Sequence, residues 1–141
     1  MATQIRLSDE LRKLVEARLE QTLKGIEDTL AKIIENQEQT PQALQDEMKS
    51  LEEKFNTLFQ KWNLEILYSL FLKNALGFAD LKKVIGVNSR TLSDKLKLLT
   101  KNGYLQRNVT SGPPLRVEYK LTQKGKNTVL LALPLLYYTA T

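Results

Sequence analysis

Residues 78–103 read FADLKKVIGVNSRTLSDKLKLLTKNG, and this stretch carries the strongest structural signal in the chain. Helically spaced apolar residues predict a two-turn helix that ends at Gly86. Asn88 or Ser89 then caps a second helix, whose leucines recur on one face. Gly103 is expected to end that helix in the left-handed conformation. The stretch therefore predicts two helices joined by a short turn, with the second helix amphipathic and basic.

The hydrophobic period changes after the second helix. Residues 104–110 and 115–121 fit the two-residue period of β-strands, and SGPP at 111–114 makes a turn between them. Thr122 is expected to cap a last helix, which Pro134 should kink or end. Two helices, a short turn and a hairpin together predict a winged helix-turn-helix. The fold class is mainly α with a small β-hairpin wing (α+β).

A long helical extension precedes this region. The pattern predicts a first helix from a cap at Ser8 to about Gln37, followed after a break by a second helix that begins at Thr40 and Pro41. A third apolar helix follows Trp62 and should be almost wholly buried; whether the chain is helical through Trp62 stays open. Six residues are expected to form the buried face of the second helix: Leu44, Met48, Leu51, Phe55, Leu58 and Phe59.

Two apolar surfaces indicate a second copy of the chain. The stripe from Leu11 to Ile33 and the tail from Val129 to Tyr138 would expose more contiguous apolar surface than a monomer tolerates. We therefore expect a homodimer joined through its N- and C-terminal helices. The chain then divides into a helical dimerisation extension at 1–57, a winged-helix DNA-binding domain at 58–128 and an apolar dimerisation helix at 129–141.

Charge is distributed unevenly along the sequence. Residues 1–72 carry nine Lys and Arg against thirteen Asp and Glu, a net charge of −4, whereas residues 73–126 carry twelve against three, a net charge of +9. The last fifteen residues are uncharged, so the two parts give the formal +5 of the chain. A region this basic is typical of proteins that bind nucleic acids, although lysines also serve solubility.

Histidine and cysteine are both absent from the sequence. Disulfides, catalytic thiols, His-based triads and imidazole or thiolate metal ligands are therefore excluded. With no carboxylate pair in register and no Gly-rich phosphate loop, we expect no enzyme activity, no cofactor and no metal. The chain begins without an apolar signal segment, and its most apolar stretch is too short to span a bilayer, so we expect a cytoplasmic protein.

Five short motifs stand in and around the helix–turn–helix region. They are KW at 61–62, FADL at 78–81, SRTLS at 89–93, LTKNGY at 99–104 and PPLRVEYKLT at 113–122. Together they resemble the HxlR-type transcriptional regulators, winged-helix proteins related to the MarR group, over about residues 58–128. Members of that family often carry a cysteine just upstream of the Lys-Trp pair. This chain has none, which excludes thiol sensing, and its long extension lies outside the usual pattern.

The helix-turn-helix and the resemblance imply a transcriptional regulator that binds duplex DNA sequence-specifically as a homodimer. The recognition helix, about residues 89–102, would enter the major groove, and the wing, about 104–121, would lie on the backbone or minor groove. Arg90 is the candidate for base readout, since a guanidinium binds guanine through two parallel bonds. The predicted DNA-binding residues are Ser89, Arg90, Thr91, Ser93, Asp94, Lys95, Lys97, Lys101, Arg107, Arg116 and Lys120.

The individual roles differ. The three lysines of the recognition helix are expected phosphate contacts, which add affinity without sequence information. Arg116, near the wing tip, either approaches the DNA or braces the wing by pairing with Glu118 or Asp94. Aromatic residues at apolar-periodic positions should lie in the core rather than stack on bases: Trp62, Phe71, Phe78, Tyr104 and Tyr119.

A second function stays open at this point. The protein could be a helical assembly module, in which the extension recruits a protein and the winged helix binds a protein or RNA. No residue pattern identifies a small-molecule effector, the operator sequence or the direction of regulation.

Overall fold

A computed structural model describes residues 9–36 and 40–139, and the chain divides into two compact units between Asp46 and Glu47. The predicted cap at Ser8 and the predicted break at 37–39 lie outside the described residues. The mainly α fold with a small β-hairpin is confirmed. In chain order the elements are α1 Asp9–Glu35, α2 Pro41–Leu58, α3 Asn63–Lys73, β1 Ala75–Gly77, α4 Phe78–Ile85, α5 Ser89–Lys101, β2 Leu105–Thr110, β3 Arg116–Leu121 and α6 Gln123–Thr139.

Helix α2 begins as the sequence predicts but does not bury its apolar face. Thr40 Oγ1 accepts a hydrogen bond from the Ala43 amide at 3.1 Å, and Pro41 occupies the first helical position. The expectation of a buried face is wrong for the single chain, because the core is built by the elements after α2, which itself contributes only Leu58. Met48 and Phe55, for example, are more than half exposed.

The chain is not helical through Trp62. Its φ of 80° is left-handed, which separates α2 from α3, and the Lys61 ammonium lies 4.9 Å from the centre of the Trp62 ring. Asn63, the first residue of α3, is fully buried, and its amide nitrogen donates to the carbonyl of Thr57 at 2.6 Å. A buried side-chain donor therefore holds the end of α2 against the start of α3.

Helix α3 buries only one of its faces in the single chain, rather than being almost wholly buried. Ile66, Leu67 and Leu70 are at most 1% exposed, whereas Leu72 is 59% exposed and Tyr68 is exposed as well. The sequence prediction failed here because a helix that is apolar on nearly every side gives no periodic signal for its outer face.

A third strand, for which the sequence analysis gives no signal, precedes α4. Strand β1 pairs antiparallel with β3, so that β3 lies in the middle of a sheet of order β1-β3-β2. Asn74, which has a φ of 67°, connects the end of α3 to the start of β1. The sheet is thus anchored on both sides of β3, and only the hairpin end of β2 and β3 projects as a wing.

The core lies between the helices and the inner face of this sheet. Gly86 ends α4 with a φ of 77°, in the left-handed conformation that favours glycine, as the sequence predicts. All five predicted core aromatics lie in or against this core. Its buried apolar residues are Ile66, Leu67, Leu70, Leu81, Ile85, Leu92, Leu96, Leu99, Tyr104, Leu105 and Val129.

The sequence predicts the start of helix α6 better than its end. Thr122 caps it, since its Oγ1 accepts from the Gly125 amide at 3.1 Å. Pro134 does not end the helix, which continues to Thr139. Val129 is buried on the inner side, whereas Leu131 is 70% exposed on the other. The outer side of α6 therefore presents an uncovered apolar surface in the single chain.

Candidate nucleic-acid interface

Helix α5 is fixed by its N-cap and by three leucines. Asn88 Oδ1 accepts from the Thr91 amide at 2.8 Å, so Asn88 rather than Ser89 is the cap. Leu92, Leu96 and Leu99 are at most 1% exposed, which locks one face of the helix onto the core. Because burying a leucine contributes about 1.5–3 kcal/mol, this anchoring determines which side chains face outwards.

Five polar residues share the face opposite these leucines. With about 100° of rotation per residue, they fall within an arc of about 100°. We call this set the outer face of α5; it consists of Arg90, Ser93, Asp94, Lys97 and Lys101. All are exposed except the half-buried Ser93, and the side chains of the three cations make no hydrogen bond or ion pair within the described residues. The outer face thus presents three uncommitted cations and one carboxylate.

The remaining predicted residues of α5 lie on its flanks. Thr91 and Lys95 are half-buried on one side, and Ser89 lies on the other, at the helix start. The Lys95 ammonium donates to Gln60 Oε1 at 2.7 Å, in the segment between α2 and α3. Lys95 is therefore the one lysine of α5 with a side-chain partner in the described chain, and its ammonium keeps two further N–H donors.

Strand register separates the basic residues of the wing. Arg107 pairs with Tyr119 and Arg116 pairs with Thr110, and directly opposed side chains lie on the same face of a sheet. Because successive residues alternate, Arg107 lies on the same face of the sheet as the half-buried Tyr119, while Arg116 lies on the opposite face. All three predicted wing cations are exposed, but the structure does not bring them to one surface.

The two basic residues of β3 lie at opposite ends of the hairpin. Arg116 is next to the tip, where Thr110 Oγ1 bridges its backbone amide and carbonyl at 3.2 Å each. Lys120 lies at the base and lines an open cleft of about 600 Å³ with residues of α3 and α6, among them Phe71 and Lys126. Arg116 is thus placed at the projecting end of the wing, and Lys120 is not.

The bracing role weighed for Arg116 is absent from the structure. Within residues 9–36 and 40–139, no ion pair joins its guanidinium to Glu118 or to Asp94. Glu118 does share the face of Arg116, two residues along β3. The Arg116 side chain is exposed, and the contacts with Thr110 involve only the Arg116 backbone.

Sequence reasoning missed two side chains that shape this region. Gln60 holds Lys95, and Lys124 donates from its ammonium to the carbonyl of Asn102 at 2.9 Å, at the C-terminal end of α5. The local signal for Lys124 was the Thr-x-Lys-Gly run directly after the last strand. Nothing local marked Gln60, which is 35 residues from Lys95.

Two negative findings concern the described part of the chain. It holds no group of three or more carboxylates, histidines or cysteines that could bind a metal ion. None of its helices combines the length and the hydropathy needed to cross a bilayer.

A capped, leucine-anchored helix with a cationic outer face, followed by a projecting hairpin that belongs to a three-stranded sheet, defines the winged helix-turn-helix class. The chain belongs to the HxlR-like helix-turn-helix family, whose pattern matches residues 57–136. This confirms the resemblance found in the sequence. The extension before residue 57 lies outside the match.

Relatives and solved structures agree with this assignment. The chain is 34% identical over 68 residues to YdzF and 33% identical over 76 residues to YvaP, both named as uncharacterized HTH-type transcriptional regulators of Bacillus subtilis. These matches cover 48% and 53% of this chain, and 62% and 69% of the relatives. The chain therefore spans less than two thirds of the length of YdzF.

Two solved structures share the fold. A MarR-family regulator from Enterococcus faecalis superposes with a TM-score of 0.59 at 28% identity, covering 74% of this chain and 90% of that one. The reduced form of YodB, a transcriptional regulator from B. subtilis, gives 0.58 at 26% identity, covering 63% and 87%. These relatives are named as regulators and not as enzymes, which supports the expectation that this chain is not an enzyme.

Proposed function

We propose that this chain is a cytoplasmic transcriptional regulator that binds duplex DNA sequence-specifically as a homodimer. The observation that carries the proposal is the outer face of α5, where three exposed cations lie opposite three buried leucines. A helix anchored in this way can enter the major groove and present its N-terminal residues to base edges. The net charge of +9 in residues 73–126 supplies the long-range attraction to phosphates.

Arg90 is the residue for base readout in this proposal, and Lys97 and Lys101 contact phosphates. Arg90 is in the first turn of α5, where a recognition helix meets the bases. Its guanidinium can donate two parallel hydrogen bonds to guanine, whereas an ammonium acts as a point charge on a phosphate. In the hairpin, Arg116 at the wing tip reaches the DNA backbone or the minor groove. Arg107 and Lys120 are further DNA-binding residues of the wing in this proposal.

The predicted consequence is a difference between two alanine variants. Arg90→Ala should weaken binding to the specific duplex by about 1–3 kcal/mol, with a much smaller loss on random duplex, because base contacts are removed. Lys101→Ala should weaken both duplexes alike, because a phosphate contact carries no sequence information. Competition mobility-shift assays with both duplexes measure the two ratios. Equal losses on both duplexes for Arg90→Ala would show that Arg90 does not read bases.

Dimerisation follows from the apolar surfaces that the single chain leaves uncovered. Residues 1–57 and 129–141 would join the copies, and residues 58–128 would bind the DNA. Leu23 on α1 and Leu131 on α6 are both more than half exposed in the single chain. A two-fold axis would set two recognition helices one DNA turn apart, about 34 Å, and favour a near-palindromic site.

Sedimentation equilibrium tests the dimer. The wild-type chain should sediment at twice its 16.2 kDa at micromolar concentration. Leu23→Lys and Leu131→Lys should each shift the equilibrium towards monomer if their helix lies in the interface, since a lysine at an apolar interface must be desolvated. Neither change should disturb the folded single chain, in which both side chains are solvent-exposed. A wild-type monomer at this concentration contradicts the dimer.

The assembly-module function is favoured by one observation, the exposed apolar residues of α1 and α2 outside the family match. Competition between duplex DNA and double-stranded RNA of the same sequence separates the two functions. A regulator should prefer the DNA, because an α-helix fits the major groove of B-form DNA, whereas the deep, narrow groove of A-form RNA excludes it. Preference for the RNA, or binding to neither, would favour the assembly module.

A further inference from the structure

The end of α5 and the start of α6 are fastened together by a compact set of contacts. The Thr122 hydroxyl donates to the Gly103 carbonyl, and the Thr122 amide donates to the Tyr104 carbonyl at 3.1 Å. The Tyr104 amide in turn donates to the Leu99 carbonyl of α5 at 2.9 Å. We call residues 102–104 and 122–125 the α5–α6 joint. Through it, α6 is connected directly to the last turn of the recognition helix.

Glycine is required in this joint for a steric reason. A Cβ at Gly125 would overlap the Tyr104 carbonyl oxygen and would lie 3.2 Å from the Tyr104 carbonyl carbon and 3.1 Å from Leu121 Cδ2. The first turn of α6 therefore packs directly on the backbone that leaves α5. Gly103, with a φ of 82°, gives that backbone its sharp turn.

Lys124 closes the joint with its side chain. Its ammonium donates to the Asn102 carbonyl at 2.9 Å and lies 4.6 Å from the centre of the Tyr104 ring. Asn102 is the C-cap of α5, where a cation is favoured by the negative end of the helix dipole. Lys124 is solvent-exposed, but its ammonium is engaged by a hydrogen bond and a cation–π contact within the chain, unlike the cations of the outer face.

Helix α6 leads from this joint to the uncovered apolar surface. Its inner side is held by Val129, which is 3% exposed, while Leu130 and Leu131 lie uncovered further along. In the dimer of the proposed function, the partner covers that outer side. The orientation of α6 relative to α5 then determines where each recognition helix lies with respect to the two-fold axis.

We propose that Lys124 is a positioning residue: through the α5–α6 joint it fixes the separation of the two recognition helices and so the half-site spacing that the dimer accepts. This inference rests on the proposed function. Lys124 itself contacts no DNA in this proposal. It acts through Asn102 and Tyr104, and its removal should loosen the geometry between α5 and α6 without removing a phosphate contact.

The first experiment measures this geometry without DNA. Because the chain has no cysteine, the exposed residues Lys97 and Asn127 can be changed to cysteine and spin-labelled as a unique pair. Dilution with unlabelled chain restricts the measurement to labels in one chain. Lys124→Met, which keeps the aliphatic stem, should broaden the distance distribution between the labels. Lys126→Met, which removes the same charge two residues further along, should leave it unchanged. An unchanged width for Lys124→Met overturns the proposal.

The second experiment measures spacing on DNA. Lys124→Met should bind the preferred palindromic duplex about fivefold more weakly, and it should discriminate less against duplexes whose half-sites are moved by one base pair. Its affinity for a single half-site and its salt slope should equal those of the wild type, and Lys124→Arg should restore the spacing preference. Equal losses on half-site and full site, with a shallower salt slope, would identify Lys124 as a phosphate contact and contradict the proposal. Failure of the wild-type chain to bind duplex DNA would instead contradict the proposed function. The label distances would still test whether Lys124 fixes the geometry between α5 and α6.

Discussion

Replacing Gly125 by alanine is expected to lower the free energy of unfolding by about 3 kcal/mol, although alanine normally favours a helix. The added methyl group would overlap the Tyr104 carbonyl oxygen, and Leu121 Cδ2 would lie only 3.1 Å away. The neighbour is backbone, which cannot rotate aside, so α6 must shift as a whole. That shift would strain the hydrogen bonds of Thr122 to Gly103 and Tyr104.

Gly25 in the middle of α1 provides the matched control. A Cβ at Gly25 would meet no atom within 4 Å, so Gly25→Ala should stabilise its helix by about 0.5–1 kcal/mol. Urea unfolding, at one protein concentration because association contributes to stability, compares the two variants with the wild type. If Gly125→Ala were as stable as Gly25→Ala, α6 could not pack on Tyr104 as described.

The elements that could be predicted from the sequence are those whose signals are local. Helix α5 has a cap, a repeated leucine pattern and a terminal glycine within sixteen residues, and each of these features is confirmed. Strand β1 could not be predicted in this way, because Ala75–Gly77 is too short for a period and becomes a strand only by pairing with β3, over forty residues later. The left-handed φ of Trp62 also lacks a local signal, because neither glycine nor asparagine, the residues that favour this conformation, occupies that position.

The candidate site shows the same difference between features that have a local sequence signal and features that do not. The residue types and the helix could be predicted, and the outer face follows from the buried leucines once α5 is known. The engagement of Lys95 by Gln60 could not be predicted, because it joins residues 35 apart. Nor could composition distinguish Lys124 from the other lysines, since its hydrogen-bond partner Asn102 lies 22 residues earlier in the sequence.

The affinity for duplex DNA should fall steeply with salt. Between 50 and 200 mM monovalent salt we expect a loss of about 10³–10⁵-fold, as for a protein that makes roughly six to ten phosphate contacts. Each copy offers exposed cations on α4, α5 and the wing tip, namely Lys82, Lys83, Lys97, Lys101 and Arg116. Two copies give enough cations for that number, even when some face away from the groove. Each neutralised phosphate releases condensed counterions, and this release gives the salt dependence.

Two lysine variants test whether the outer face of α5 is the source of this salt dependence. Lys101→Ala removes one proposed contact from each copy, so the slope of log affinity against log salt should become shallower by about 1.8 in the dimer, at about 0.9 per contact. Lys126→Met, at the cleft beside α3 and away from the outer face of α5, should leave the slope unchanged. Filter-binding titrations on one duplex over the salt range measure both slopes.

Because removing any lysine lowers the net charge by the same amount, a similar change for both variants would mean that overall charge, and not the outer face of α5, holds the DNA. Binding that is independent of salt would contradict the phosphate contacts altogether, and with them the placement of α5 in the groove.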